Sequence, residues 1–249
     1  MRIKKGSLDY LDLIGTIDGK LIRMKDMGIA DERIYCLRHD VDYSMDKALA
    51  FAEVEAEHGL FSTFFLLHTA GYFDYSDEFL RKCKRLIELG HDIGFHNDAI
   101  TCWYVTGENI KDIINKPLSF LRNGGIKVIG TAAHGSKLCY EKKYYNYELW
   151  KEFDSTKNHG LVEGVPKEKF SLKDFGFEYE AYFLDYQAYL SDSGGNWIGL
   201  EVTKDRAKLY ERDGLFFKGN IGRGIIPKFN SYPNGFLHCL FHPTWWNIE

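Results

Sequence analysis

The first feature of the sequence that could support catalysis is a pair of aspartates separated by one residue. They lie in the segment Arg38-His39-Asp40-Val41-Asp42. Side chains at positions i and i+2 of a strand point to the same side, so the two carboxylates would lie close together. Like charges at that separation are costly unless a cation compensates them. The pair predicts a divalent metal held by one carboxylate, while the other accepts a proton from bound water; the alternative is a solvated strand end with turn-forming aspartates.

Three histidines occupy comparable places farther along the chain. His68, His96 and His134 each follow a short apolar segment with the length and composition of a buried strand. The carboxyl ends of parallel strands in an α/β barrel meet at one mouth, where active sites are built. The sequence therefore predicts that these histidines and the two aspartates belong to one site. The strands that carry them are predicted at 34–37, 61–67, 92–95 and 127–132.

Helices are predicted between these strands, starting at capping residues and ending at glycines. Their predicted spans are 44–58, 76–89 and 108–121, the last interrupted or kinked at Pro117. Strand and helix in alternation favour a parallel sheet in an α/β fold, either a barrel or a doubly wound layer. Farther along, strands are predicted at 181–190 and 236–241, with a helix near 197–210. The segment 140–180 has a weak pattern and is predicted to be a lid or insertion in a single domain spanning 1–249.

A second motif, Gly90-His91-Asp92-Ile93-Gly94-Phe95-His96, follows the first. Together, the two motifs resemble those of the polysaccharide deacetylase (NodB-like carbohydrate esterase) family. The resemblance implies a distorted (β/α) barrel and metal-dependent hydrolysis of acetyl groups on carbohydrates. It further implies that Asp40 is the catalytic base and that Asp42 and His96 are metal ligands. His91 is interpreted as a structural histidine.

The sequence departs from the family at two places. The position four residues after His96, where the family has a second histidine, is Ile100, and an Arg-Pro-Pro-type motif is missing near His134. A catalytic zinc site generally needs three protein ligands and one open position. His134 is the first candidate for the third ligand and His68 the second; loss of the metal is the remaining alternative.

The C-terminal half contains two further segments that resemble family motifs. Asp192, followed by Trp197, resembles the Asp…Trp motif, and the strand that ends at His242 resembles the strand carrying a catalytic histidine. His242 is predicted to be a general acid kept charged by Asp192; alternatively, it is a buried histidine packed against Trp245 and Trp246. Substrate contacts are predicted for four residues: Arg38, His68, Trp197 and Trp245.

Charge, hydropathy and the placement of cysteines disfavour several further classes of function and location. A net charge of −4 gives no basic face for nucleic acid. No run of about 18 apolar residues is present, so no membrane span is predicted. The basic N-terminus lacks an apolar stretch behind it and the five cysteines are scattered, which favours a cytoplasmic location.

The function predicted from these observations is removal of an N-acetyl or other acyl group from a carbohydrate in surface polysaccharide biosynthesis. The cofactor is a divalent metal, Zn²⁺ first, with Co²⁺, Ni²⁺ or Mn²⁺ as alternatives. The substrate would be an acylated amino sugar or a nucleotide-linked or lipid-linked sugar. Two alternatives stay open, namely hydrolysis of another non-peptide C–N bond and sugar binding without catalysis by a protein that has lost the metal. The sequence does not indicate an oligomeric state.

Overall fold

The computed structural model describes residues 1–28, 31–153, 166, 168–202, 207–212 and 224–249. Its strands, in chain order, are β1 (Ile3–Lys5), β2 (Leu8–Asp9), β3 (Lys20–Leu21), β4 (Arg33–Val41), β5 (Thr63–Leu67), β6 (Asp92–Asn97), β7 (Val128–Ala133), β8 (Tyr179–Glu180), β9 (Ala188–Ser191), β10 (Ile198–Val202), β11 (Ala207–Arg212), β12 (Gly235–Phe241) and β13 (Asn247–Ile248). Its α-helices are α1 (Tyr10–Ile14), α2 (Met45–Glu57), α3 (Asp77–Glu88), α4 (Ala99–Thr106), α5 (Ile110–Asn123), α6 (Lys137–Lys142) and α7 (Ile225–Asn230).

The alternation β4-α2-β5-α3-β6 confirms the predicted α/β fold class. Ser44 caps α2 by accepting a hydrogen bond from the Lys47 amide, as its position predicts. The expected helix near 197–210 is wrong, because residues 198–202 form β10. The helix expected at 108–121 is not interrupted at Pro117, which lies inside α5.

The described part of the chain divides into two compact units. The first contains residues 1–64, 86–92 and 185–249, and the second contains residues 65–85 and 93–184. Whether the chain behaves as one domain stays a prediction.

In the first unit, β12 lies between a strand from the N-terminal half of the sequence and a strand from the C-terminal half. It pairs in parallel with β4 on one side and with β9 on the other. Strand β10 continues from β9 in antiparallel pairing and β11 continues from β10. The residues that directly follow β4, β9 and β12 therefore come close together, and these include Asp42, Asp192 and His242.

A buried polar network supports β4 from the side opposite Asp40. Glu55 of α2 accepts hydrogen bonds from the Tyr10 hydroxyl and the Ser62 hydroxyl, and one of its oxygens lies 2.8 Å from His39 Nε2. Burial alone raises the pKa of Glu55. The charge of His39 and the hydrogen bonds from His39 and Tyr10 outweigh burial and hold that pKa below its ordinary value. His91 accepts from the Ser62 amide through Nδ1 and donates to the Ala52 carbonyl, so it is a structural histidine, as predicted.

In the second unit, β6 pairs in parallel with β7, and β7 pairs in parallel with β8. His96 lies in β6 and His134 directly follows β7, so adjacent strands carry the two histidines. Part of the segment 140–180 packs into this unit, because Tyr144, Asn146, Leu149 and Trp150 are all buried. A lid role for residues 154–165 and 167 lies outside the described residues.

Among the residues that the structure describes, no helix combines the length and the apolar character needed to cross a bilayer. All five cysteines are free thiols, four of them buried.

Candidate active site

Arg38 and Asp40 form a buried ion pair on one face of β4. The guanidinium donates from Nε to Oδ1 and from Nη2 to Oδ2, each at 2.7 Å. The Arg38 side chain is 0% exposed, and that of Asp40 is 2% exposed. Two parallel hydrogen bonds of this kind fix the plane of the carboxylate as well as its position. Arg38 is therefore placed to orient Asp40, and its predicted contact with substrate stays a prediction.

A second cluster in the same unit is formed by His242 and Asp192. His242 Nδ1 lies 2.7 Å from Asp192 Oδ1, which also accepts the backbone amide of His242 at 2.9 Å. The other carboxylate oxygen accepts the Trp246 indole N–H at 2.8 Å and lies 3.8 Å from Lys5 Nζ. Asp192 is fully buried, so these donors replace the water that it would otherwise bind.

The outer nitrogen of His242 faces both aspartates of the first motif. Nε2 lies 4.0 Å from Asp40 Oδ2 and 4.0 Å from Asp42 Oδ2. Burial lowers the pKa of His242, but the hydrogen bond to Asp192 and the charges of Asp192, Asp40 and Asp42 together raise it to about 9. His242 is accordingly protonated at neutral pH and has a proton to donate.

The second unit holds the three histidines that the sequence singles out. The rings of His96 and His134 are nearly perpendicular, with centroids 5.1 Å apart. His96 Nδ1 lies 2.9 Å from the Ala132 carbonyl, which can only accept, so Nδ1 carries the proton. A neutral ring in that tautomer has its lone pair on Nε2, the form that binds a metal.

His134 lies beside a carboxylate that the sequence analysis did not assign. Its Nδ1 is 3.3 Å from Asp98 Oδ1. Burial raises the pKa of Asp98, but the hydrogen bond and charge of His134 hold it below its ordinary value. A carboxylate in this position orients an imidazole and raises its basicity as a ligand. The only sequence signal for Asp98 was its place two residues after His96.

His68 has a different environment. Its Nε2 accepts the Asp98 backbone amide at 3.1 Å, and its ring stacks on Phe95. Burial lowers the pKa of His68 to about 4, partly offset by Asp98. Because its Nε2 lone pair is used inside the protein, His68 is a poorer candidate ligand than His134.

Asn146 holds these residues together and was missed by the sequence analysis. Its Oδ1 accepts the Ile100 amide at 2.9 Å, while its Nδ2 donates to Asp98 Oδ1 at 3.0 Å and to the His134 carbonyl at 2.8 Å. The side chain is fully buried. No local pattern marks Asn146, because these three partners are 12 to 48 residues away.

Replacing Asn146 with alanine is expected to lower the free energy of unfolding by about 2–4 kcal/mol, since several buried polar groups would lose their partner. Asn109→Ala is the matched control, because Asn109 is an exposed cap of α5 and its loss should cost about 1 kcal/mol. Urea unfolding of both variants tests this expectation. Equal losses in the two would contradict the role assigned to Asn146.

The remaining residues considered for the site differ in how far their side chains are exposed to solvent. Ile100, at the position of the absent family histidine, is buried in α4 and has no donor atom in its side chain. Trp197 is 1% exposed and packs against Phe241 and Trp246, and its expected contact with a sugar stays a prediction. Trp245 is 41% exposed and is available to a ligand.

No family model matches the chain. No curated protein matches it either. Several solved structures, in contrast, do match the chain. The chain is similar to family 4 carbohydrate esterases. PdaA of Bacillus subtilis is 15% identical, with a TM-score of 0.44 over 94% of this chain and 75% of that one. A family 4 carbohydrate esterase from Bacillus anthracis is 20% identical, with a TM-score of 0.33 over 49% of this chain and 56% of that one.

A third similar structure is wild-type BA3943 from Bacillus anthracis, described as a CE4 family pseudoenzyme. It is 12% identical, with a TM-score of 0.42 over 91% of this chain and 59% of that one. The chain spans about half the length of three such structures, the Bacillus anthracis esterase among them.

Proposed function

We propose that the chain is a divergent polysaccharide deacetylase of the NodB-like type, which uses a divalent metal to remove an N-acetyl or other acyl group from a carbohydrate. The observation that carries the proposal is the acid–base pair of the first unit. The imidazole of His242, whose pKa is raised by the hydrogen bond to Asp192 and by the neighbouring carboxylates, lies 4.0 Å from a carboxylate, Asp40, that is held in place by a buried guanidinium. Hydrolysis of an amide requires both groups, because the attacking water must lose a proton and the departing nitrogen must gain one.

Asp40 is assigned the role of general base. Its orientation is fixed by Arg38, so the carboxylate need not reorganise when it accepts the proton from water. His242 is assigned the role of general acid, which donates from Nε2 to the leaving nitrogen. Asp192 binds the opposite side of the ring, at Nδ1, and stabilises its charged form, as the carboxylate does in other His–Asp pairs.

Asp42, His96 and His134 would hold the metal. Two imidazoles and one carboxylate are a donor set that suits Zn²⁺ in a catalytic site with one open position, and Co²⁺, Ni²⁺ and Mn²⁺ accept related sets. When bound, a metal of this kind polarises the acyl carbonyl and lowers the pKa of its water. The contact of His96 with Ala132 and that of His134 with Asp98 would keep both rings in the orientation and tautomer for ligation.

Release of acetate tests the proposal. Purified protein loaded separately with Zn²⁺, Co²⁺, Ni²⁺ and Mn²⁺ is incubated with N-acetylglucosamine and its β-linked oligomers, and acetate and free amine are measured. We expect equimolar release of the two. His242→Ala should abolish it, whereas His58→Ala should not, because His58 is an exposed residue at the end of α2.

Two outcomes would favour the other functions. Binding of the sugars by metal-free protein without release of acetate would indicate a non-catalytic binding protein. Inactivity on sugars together with hydrolysis of cyclic amides would indicate another C–N bond as the target.

A further inference from the structure

Lys5 is a buried lysine to which the proposed mechanism gives no role. It lies in β1, and its side chain is 6% exposed. Its ammonium is 3.8 Å from Asp192 Oδ2 and 5.1 Å from the centroid of the Trp197 ring. Lysine side chains are almost never fully buried unless they are paired. The carboxylate and the aromatic face supply that pairing, so a cation is held against the same carboxylate that binds His242.

The three-stranded sheet β13-β1-β2 determines where Lys5 lies. In this sheet β1 pairs antiparallel with β13, and Lys4 is opposite Asn247. The same register, continued by one residue, brings Lys5 beside Trp246. The indole N–H of Trp246 donates to Asp192 Oδ2 at 2.8 Å, the oxygen that Lys5 approaches. One small sheet therefore positions both groups that face this oxygen.

The charges around Asp192 change when His242 gives up its proton. As the tetrahedral intermediate collapses, the C–N bond breaks, the leaving nitrogen keeps the electron pair, and the proton from Nε2 forms the new N–H bond. The imidazole is then neutral, and Asp192, which is fully buried, no longer has its charge balanced by His242. A buried charge without a partner is costly. Lys5 supplies a positive charge at this step, because it approaches Oδ2 while the imidazole binds Oδ1.

We propose that Lys5 is a positioning residue for the general acid, whose ammonium balances the charge of Asp192 before and after the proton leaves His242. The barrier to proton donation is then lower than it would be if the imidazole were the only cation beside this carboxylate. The inference rests on the proposed deacetylase function and adds a residue to its acid–base machinery.

Two substrates that differ in their leaving group test this role. An N-acetyl amide needs a proton on its departing nitrogen, whereas 4-nitrophenolate leaves 4-nitrophenyl acetate without one. Lys5→Met removes the charge and keeps an unbranched side chain. In the zinc-loaded protein, we expect it to lower kcat for acetate release from N-acetylglucosamine oligomers by about tenfold or more, with KM unchanged. Hydrolysis of 4-nitrophenyl acetate should continue at the wild-type rate.

The matched control is Lys4→Met, in the neighbouring residue of β1. Lys4 pairs at 2.8 Å with Glu249, which is exposed, and its loss should change neither reaction. If Lys5→Met lowers amide and ester hydrolysis equally, or lowers neither, the inference is overturned and the deacetylase function stands. Should Lys5→Met not fold, Lys5→Gln gives the same comparison with an uncharged side chain that stays polar.

A double-mutant cycle in urea tests the pair without any measurement of activity. Lys5→Met should lower the urea midpoint of the wild type but not that of Asp192→Asn, because the ammonium in that variant has already lost its counter-charge. An equal lowering in both backgrounds would overturn the inference. If the wild type hydrolyses no amide, the deacetylase function fails, and this cycle alone decides whether Lys5 supports Asp192.

Discussion

Asp40→Asn is expected to lower kcat for acetate release by about 100- to 10,000-fold, the usual contribution of a general base. The amide cannot accept the proton from water, and its N–H group would face the Arg38 guanidinium, which has only donors. Metal content should stay at the wild-type level, because the proposed ligands are Asp42, His96 and His134. KM should change far less than kcat, since Asp40 acts on water and not on the sugar.

The control for Asp40→Asn is Asp46→Asn, in which an exposed aspartate in the first turn of α2 loses the same charge. This variant should retain wild-type kcat. Steady-state kinetics and elemental analysis on both proteins separate the effects. An Asp40→Asn protein with full metal content and more than a tenth of the wild-type kcat would contradict the assignment of Asp40 as the base.

Asp192→Asn is expected to lower kcat by a similar factor and to change its dependence on pH. The hydrogen bond and charge of Asp192 are the main causes that raise the pKa of His242 to about 9. A general acid works while it is protonated, so wild-type activity should fall as the pH rises through the pKa that His242 has in the metal-loaded enzyme, which a bound cation lowers. Without the carboxylate, His242 loses its proton at lower pH, and the alkaline limb should move down by about 1–2 pH units.

The pH profile of kcat should be measured for the wild type, Asp192→Asn and Asp185→Asn. Asp185 is exposed, so its loss should leave the alkaline limb in place. A bound cation would lower the pKa of His242 in all three proteins, so the difference between them is the quantity to compare. An unchanged alkaline limb in Asp192→Asn would show that His242 does not titrate as the acid.

Much of the fold was predictable because local sequence patterns determine several of its strands and helix ends. The apolar segments at 34–37 and 92–95 lie inside β4 and β6, and Ser44 caps α2 as its side chain predicts. The helix α4 was missed for a physical reason. Its sequence, AITCWYVT, is rich in β-branched and aromatic residues, and the side chain of its N-cap, Asp98, makes no capping hydrogen bond.

The helix wrongly predicted near residues 197–210 covers a segment whose composition already disfavours a helix. The run Ile198–Val202 contains a glycine and two β-branched residues, which are poor helix formers. Its state is decided by antiparallel partners on both sides, β9 and β11, and a local pattern does not display them. Local composition and tertiary pairing therefore both favour the strand, and the expected helix disagreed with each.

The candidate site likewise contains residues that a local motif predicts and contacts that only long-range packing determines. Asp40 and His242 were found because their motifs are short and end strands, and the structure brings both into one cluster. The contacts that support them were missed. Lys5 reaches Asp192 from the opposite end of the sequence, and the buried pairing of Arg38 with Asp40 was not predicted. Supporting contacts of this kind depend on long-range packing, which leaves no periodic trace in the sequence.

The metal content of the purified protein tests the central claim most directly. Elemental analysis of the wild type, His134→Ala and His68→Ala, each incubated with zinc and dialysed, should show near-stoichiometric metal in the wild type. His134→Ala should lose it, whereas His68→Ala should keep it, because the Nε2 lone pair of His68 already accepts the Asp98 amide. Retention of metal by His134→Ala with loss in His68→Ala would contradict the ligand set. A wild-type protein that binds no zinc, cobalt, nickel or manganese would contradict the hydrolase itself.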